Sequence, residues 1–221
     1  SIKLTLVGLP EAIEQAKNCF GARYKEKISY IEASEVVSMK DDPIEALRKK
    51  KKSSLRLAIE EVKHKRADAC VSSGNTGALM ATSKYLLGMI SGIDRPAIVS
   101  AIPSIKGTVF MLDLGANINS TPSNLFQFAI MGSIISKGIL GISKPRVALL
   151  NVGEEEIKGN NLVKDAAKLL SSSNLNYVGF IEGNDIFNNN ADVVVTDGFV
   201  GNISLKSMEG VASLISYYIK I

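Results

Sequence analysis

The chain has 221 residues, 46% of them hydrophobic and 22% charged, with a formal net charge of +4. This is an ordinary soluble globular composition, long enough for one large domain or two small ones. So small a positive excess gives no support to a nucleic-acid role, and no secretory signal or run of about 18 apolar residues indicates export or a membrane span.

In chain order, strands alternate with helices. Ile2–Val7 (IKLTLV) reads as a strand, and Pro10 opens the helix PEAIEQAKNCF where its missing N–H costs little. Ile28–Ile31 is a short strand. Asp41-Asp42-Pro43 starts a long helix to about Lys65, acidic at its start and basic at its end, as the helix dipole prefers. Ala67–Val71 reads as a buried strand, followed by the junction Ser72-Ser73-Gly74-Asn75-Thr76-Gly77 and a helix to about Leu87. Ala97–Ile102 and Thr108–Leu112, separated by Pro103 and Gly107, suggest an adjacent strand pair. The helix from about Pro122 to Leu140 is apolar nearly all round (LFQFAIMGSIIS), which implies deep burial or a subunit interface. A strand over Arg146–Val152, a helix over Asn161–Ser171 and strands over Tyr177–Ile181 and Asp192–Thr196 follow. A last helix begins near Gly201.

This alternation, with continuous apolar strands, predicts an α/β fold: a largely parallel sheet covered by helices on both faces. We expect one α/β domain over residues 1–221. The first residues are already strand and SLISYYIKI stops within an apolar helical pattern, so we expect a fragment of a longer polypeptide. Cys19 and Cys70 lie in apolar surroundings without metal-ligand spacing and read as buried, reduced thiols of a cytoplasmic protein. His64, in VKHKRAD, reads as a solvated side chain at a basic helix end.

Ligands of parallel α/β sheets bind beyond the carboxyl ends of the strands. Four such ends share one chemistry: SSGNTGA after Val71, DLGAN after Leu112, GEEEIKGN after Val152, and DGFVGN after Thr196. Each pairs glycine, which admits close backbone approach, with Asn, Ser, Thr, Asp or Lys. Helix starts after such loops direct free N–H groups at anions. Taken singly, each loop reads first as a helix cap with turn glycines; taken as a set, they suit phosphate or a phosphorylated group. Neither GxxxxGK[ST] nor a GxGxxG after the first strand is present. Candidate activating or stabilising groups are Lys158, Asn202, Asn75, Asn117, Asp113 and Asp197. Amides and a lysine suit oxyanion stabilisation, and a nucleophile already charged, such as inorganic phosphate. Glu154, Glu155 and Glu156 point in different directions, which favours a solvated helix start over a metal site.

VSMKDDPIEALRKKKKSSLRLAIEEVK, ADACVSSGNTGALMA, GIDRPA, DLGAN, NVGEEEIKGN and ADVVVTDGFVGNISLKSMEG together resemble the PlsX family of bacterial phosphate acyltransferases. The resemblance covers nearly the whole chain, with the motifs in the family's order. It implies a three-layer αβα fold like that of isocitrate and isopropylmalate dehydrogenases. It also implies a homodimer working without metal or cofactor, and synthesis of acyl-phosphate from acyl carrier protein thioester and inorganic phosphate. The family's N-terminal strand with a GGD-type loop and its C-terminal part with an HGSS-type motif have no counterpart here.

Carried onto this sequence, the resemblance implies Lys158 and Asn202 as the main catalytic groups. Ser73, Gly74, Asn75, Thr76, Gly77, Asp113, Asn117, Asn160 and Asp197 would line the phosphate and substrate site. The run Arg48-Lys49-Lys50-Lys51-Lys52 reads either as a solvated helix face or as a docking surface for the acidic carrier protein. Leu214, Ile215, Tyr217, Tyr218 and Ile219 suit dimer or core packing, with peripheral contact at the inner face of the cell membrane as the other reading. Phe126, Phe128, Ile130, Met131, Ile134 and Ile135 suit core or interface packing ahead of an acyl channel. Competing readings are a phosphotransacetylase-like enzyme using coenzyme A thioesters and a non-catalytic membrane-associated scaffold. A dehydrogenase fits least well.

Overall fold

The structure is a computed structural model that describes residues 2–20, 24 and 26–219. These fall into two compact units, residues 1–90 and 91–221.

In the first unit, β1 (Leu4–Gly8) and β2 (Ile28–Glu32) pair in parallel, Leu4 opposite Ile28 through Gly8 opposite Glu32. Between them in sequence comes α1 (Pro10–Phe20), which buries Ile13 and leaves Cys19 exposed rather than in a core. The helices α2 (Pro43–Lys49), α3 (Ser54–Lys63) and α4 (Thr76–Leu87) enclose a small core of Ala46, Leu55, Ile59, Ala78 and Leu86.

Two expectations are corrected here. The helix expected from Asp41 to Lys65 is two helices, broken at Lys50–Ser53. The Ser53 hydroxyl donates to the Lys50 carbonyl, the Lys52 N–H donates to Glu35, and Glu35 and Ser53 form an isolated bridge. Like charges crowded one turn apart oppose a continuous helix through this run. The second correction concerns Ala67–Val71, which forms no strand: Val71 is 97% exposed. This segment runs beside β1, but a cavity of about 320 Å³, walled by Leu4–Val7 and by Ala67, Cys70 and Val71, separates the two backbones. Without a ladder partner, apolar composition alone does not make a strand.

The second unit is built on a five-stranded sheet of order β3-β4-β7-β5-β6: Val99–Ser104, Gly107–Leu112, Val193–Val195, Arg146–Leu150 and Asn176–Ile181. All pairs are parallel except the β3–β4 hairpin, and Pro103 is tolerated because β3 is an edge strand. Alternate residues separate two cores. Phe110, Leu112, Val147, Leu149, Val193 and Val195 face α5 (Pro122–Leu140) and α6 (Asn161–Ser171). Val109, Met111, Ala148, Leu150 and Val194 face the opposite way, toward Ile186 and toward Leu205 and Met208 of α7 (Gly198–Ile219). The fold is thus the expected α/β type, a mostly parallel sheet flanked by helices.

α5 approaches the sheet closely because Gly132 has no side chain: a Cβ there would lie 2.4 Å from Val193 Cγ1. The helix is not buried all round, however. Leu125, Phe128 and Ala129 are fully enclosed, whereas Ile134 and Ile139 are exposed. α7 starts three residues earlier than expected, and Gly201 is pressed against the backbone of Asp113, where a Cβ would fall 1.8 Å from the carbonyl oxygen.

The start of β5 is tied to the residue preceding β7. Asp192 accepts hydrogen bonds from Arg146 N (2.7 Å), Nε (3.1 Å) and Nη2 (2.9 Å). Burial pushes the Asp192 carboxyl up, but the hydrogen bonds and charge of Arg146 outweigh it and hold the group below the ordinary carboxylate value. A depressed folded value means the stabilisation is complete above the unfolded value of about 4 and is lost as pH falls through the folded one. Asp192→Asn should therefore cost about 1–3 kcal/mol in urea unfolding at pH 7, with the gap narrowing below about pH 4. A gap that stayed constant down the acid limb would refute the assignment.

Two glycines of α7 provide a matched test. Gly201→Ala should destabilise the fold by roughly 1–3 kcal/mol or more, because backbone must move. Gly210→Ala, where nothing lies within 4 Å of the added carbon, should gain about 0.5–1 kcal/mol. Equal effects in thermal or urea unfolding would contradict this packing.

Candidate functional site

In the first unit, the 72–77 junction divides into structural and free groups. Asn75 is buried and caps α4, its Oδ1 accepting from Ala78 N at 3.0 Å. Its amide nitrogen donates to the carbonyls of Ser38 (3.2 Å) and Asp41 (3.0 Å), which pins the 38–41 loop. Gly77 admits Pro43, whose Cγ would lie 2.8 Å from a Cβ at that position. Gly74 N donates to the Ser72 hydroxyl. Ser73 and Thr76 are exposed, and their hydroxyls have no partner among the described residues. The basic run lies in the same unit at the α2–α3 break. Lys49 pairs with Glu45 at 3.1 Å, and Lys50 binds Asp41 and the Val36 carbonyl. Arg48, Lys51 and Lys52 are exposed.

In the second unit, the carboxyl ends of β4, β5 and β7 meet on one edge. Asp113, fully buried, is the knot of the β4 loop. Its Oδ1 accepts from Ile98 N (2.9 Å) and Ala116 N (3.1 Å), and its Oδ2 from Asn117 N (2.7 Å) and Nδ2 (2.9 Å). Asn117 Nδ2 donates also to the Pro96 carbonyl, and the Asn117 carbonyl accepts from Gly198 N at 2.9 Å. Asp197 caps α7, accepting from Phe199 N and Val200 N. Asn202, exposed, lies on the β4 loop: a Cβ at Gly115, whose φ is +126°, would sit 3.4 Å from its side chain. Asp113, Asn117, Asp197 and Asn202 are therefore brought together.

The β5–α6 loop is organised by a residue that the sequence reading passed over. Asn151 donates from Nδ2 to the carbonyls of Gly153 (3.0 Å) and Lys158 (3.3 Å). Gly159, at φ +86°, makes room for it; a Cβ there would lie 2.1 Å from Asn151 Oδ1. Asn160 caps α6 through Val163 N. Lys158, carried on this loop, pairs with Glu155 at 2.7 Å. That hydrogen bond raises the Lys158 ammonium above the ordinary lysine value and lowers the Glu155 carboxyl, so both stay charged. No hydrogen bond or ion pair joins Lys158 to Asn202. A crevice of about 560 Å³ lies beyond these strand ends, lined by Asn151, Gly159, Asn160, Thr196, Asp197 and Val200 among others.

The rim of this edge is unexpectedly apolar. Ile118, Val152, Ile157, Phe199 and Ile203 are each more than half exposed, and all sit on the strand-end loops or the first turns of α7. Apolar residues in such loops read as core in a sequence, so only their exposure reveals the rim. Among the described residues, no cluster of three His, Cys, Asp or Glu side chains is placed to hold a metal ion. Nor, among them, is any helix long and apolar enough to cross a membrane.

Comparison with known proteins gives a consistent result. A family model described as "Fatty acid synthesis protein" matches residues 1–220. The phosphate acyltransferase of Alkalilimnicola ehrlichii is 54% identical over 220 residues, covering 100% of this chain and 64% of that protein. The phosphate acyltransferase of Coxiella burnetii (strain CbuG_Q212) is 55% identical over 226 residues, covering 99% and 65%. The chain thus spans about 64–65% of the length of these curated relatives. Among solved structures, the EutD phosphotransacetylase from Staphylococcus aureus matches with a TM-score of 0.59 at 14% identity, covering 96% of this chain and 83% of that one. A branched-chain phosphotransacylase from Enterococcus faecalis V583 matches with a TM-score of 0.55 at 14% identity, covering 94% and 84%. These two establish kinship of fold, and the sequence relatives establish the family. The chain belongs to the PlsX family of phosphate acyltransferases.

Proposed function

We propose that the protein of which this chain forms the matched part transfers a fatty acyl group from acyl carrier protein to inorganic phosphate. The observation that carries this reading is the apolar rim of Ile118, Val152, Ile157, Phe199 and Ile203 around an edge built from glycines, amides and a paired lysine. The polar loops suit a phosphate and an oxyanion, and the rim suits a long acyl chain ahead of an acetyl group.

In the proposed reaction a phosphate oxygen attacks the thioester carbonyl and forms a C–O bond. The carbonyl oxygen takes up the negative charge of a tetrahedral intermediate, and the C–S bond then breaks to release the phosphopantetheine thiolate. No acyl-enzyme is needed. Lys158, an ammonium paired with Glu155, supplies positive charge to phosphate or the oxyanion. Asn202, whose exposed side-chain amide has no hydrogen-bond partner among the described residues, offers that amide to the thioester oxygen. Ser73 and Thr76 carry free hydroxyls for phosphate, while Asn75, Gly74 and Gly77 shape the loop that presents them. Asp113, Asn117, Asn160 and Asp197 contribute by holding loops and helix starts. Chemistry of this kind needs no metal. We further infer that the enzyme acts as a homodimer in the cytoplasm, with peripheral membrane contact through the last helix, and that Arg48, Lys51 and Lys52 meet the acidic carrier protein.

The test is phosphate-dependent loss of acyl carrier protein thioester by the full-length protein, with acyl-coenzyme A as competitor. Acyl-phosphate should form from the carrier-bound substrate, and Lys158→Met or Asn202→Ala should lower kcat by about 10²-fold. Turnover of acyl-coenzyme A alone would favour the phosphotransacetylase-like reading, and no acyl-phosphate from either donor would leave a scaffold. Charge reversal at Lys51 and Lys52 should raise KM for carrier protein several-fold at low salt and little at high salt, with kcat unchanged. An unaltered KM at low salt would remove the docking assignment.

A further inference from the structure

Lys158 is a half-exposed side chain on a loop containing two glycines, held by an i,i+3 pair with an exposed glutamate. Such a surface pair is a weak restraint, and a long lysine stem has many rotamers to explore. What fixes the ammonium must therefore come from elsewhere in the loop. Asn151 stands one residue beyond β5, and its backbone N–H still donates to the Ile181 carbonyl of β6 at 2.9 Å. Its main chain thus belongs to the sheet, whereas residues 152–160 leave it before α6 begins.

The partners of the Asn151 side chain are the residues that define where Lys158 lies. Its amide nitrogen has two N–H groups to give, and its acceptors are the Gly153 and Lys158 carbonyls. The Lys158 carbonyl is the root of the lysine. Gly153 is the bed on which its side chain rests: a Cβ there would fall 2.9 Å from Lys158 Nζ and 2.8 Å from Glu155 Oε2. The Lys158 N–H closes the turn by donating to the Glu155 carbonyl at 3.0 Å. Gly159, the next residue, folds back over the Asn151 amide with no side chain to obstruct it. Root, bed and following residue of the lysine all converge on one side chain anchored to the sheet. Asn151 also lines the strand-end crevice, so this clamp lies at the wall of the space Lys158 serves.

We propose that Asn151 is a positioning residue for acyl transfer, its amide holding Lys158 where the ammonium meets phosphate or the oxyanion. It acts through Lys158 and touches no reacting atom. Displacing a charge by about 1 Å from its working position can cost about 10²-fold in rate, so two hydrogen bonds at the root and bed of the lysine are enough to matter. The catalytic part of this assignment rests on the acyl-transfer reading of Lys158 above; the clamp itself does not.

The test uses the full-length protein with Asn151→Ala and the isosteric Asn151→Asp, which keeps the shape against Gly159 but loses both N–H donors. Each should lower kcat for acyl-phosphate formation by about 10–10²-fold, with KM for the acyl donor little changed. In a Lys158→Met background, Asn151→Ala should cost nothing further, because the group it positions is gone. Losses that multiply in the double variant, or an Asn151→Asp enzyme as fast as the parent, overturn the proposal. A second readout needs no turnover: the rate of reductive methylation at Lys158, followed by mass spectrometry. Asn151→Ala should raise it several-fold while Lys168, which has a similar i,i+3 pair with Asp165, keeps its rate. Equal rates at Lys158 in parent and variant also overturn the proposal, whatever the activity. If Lys158→Met alone leaves kcat unchanged, the catalytic reading of Lys158 fails, and the methylation rates still decide whether Asn151 holds it.

Discussion

The carboxylate of Asp113 governs the strand-end edge of the 91–221 unit, where several candidate residues gather. A buried charge is strongly disfavoured unless compensated, and here four N–H groups converge on its two oxygens. Those donors come from the strand entry at Ile98 and from the β4 loop itself, so one side chain fixes where β4 ends and how its loop turns. The same loop offers the Asn117 carbonyl to Gly198 and the Asp113 carbonyl to the face of Gly201, which sets the start of α7. Asn202 is placed because these residues are placed. Its position on Gly115 follows from a carboxylate that need never touch a substrate.

A division of labour runs through all the candidate residues. Asn75, Asn160 and Asp197 cap helices, and Asp113 and Asn117 build a loop, so their polar atoms are largely occupied within the fold. Ser73, Thr76 and Asn202 are exposed with no such engagement, and Lys158 holds only an exposed glutamate. In each unit, taken by itself, the second group is what remains for a ligand. Each capping side chain also occupies N–H groups that the helix start would otherwise turn toward an anion. Helix dipoles alone are thus a weaker argument for phosphate at these loops than the free hydroxyls and amide are.

Much of this was legible in the sequence because the physics is local. Strand–helix alternation reported the parallel sheet, Pro10 and Pro122 marked helix starts, and the Gly-Asn-rich strand ends reported the edge where the loops gather. Features set by distant partners were not legible. Ala67–Val71 has the composition of a strand but no ladder to join, and the Lys50–Ser53 break depends on Glu35, far back in the chain. Asn151 resembled any polar loop residue, and its role as a hub exists only because Gly159 folds back over it. Loop chemistry offered Lys158 and Asn202 as candidates and the family motifs singled them out, whereas the apolar rim emerges only from side-chain exposure.

The position of β7 has a consequence for how the molecule is made. This three-residue strand sits between β4 and β5, pairing Phe110–Leu112 with one edge and Val147–Leu149 with the other. The β3–β4 hairpin and the β5–α6–β6 segment are both synthesised earlier, yet no ladder links their strands until Val193–Val195 arrives to lie between them. During translation the hairpin presents a half-built apolar face while dozens of residues are added, and the completed β5–α6–β6 segment does so for about one dozen, a window in which misassociation is most costly. Closure of the sheet is therefore a late event that depends on a short, wholly apolar segment. A nascent chain stalled before Val195 would hold most of its secondary structure and almost none of the strand-end edge that carries the candidate residues.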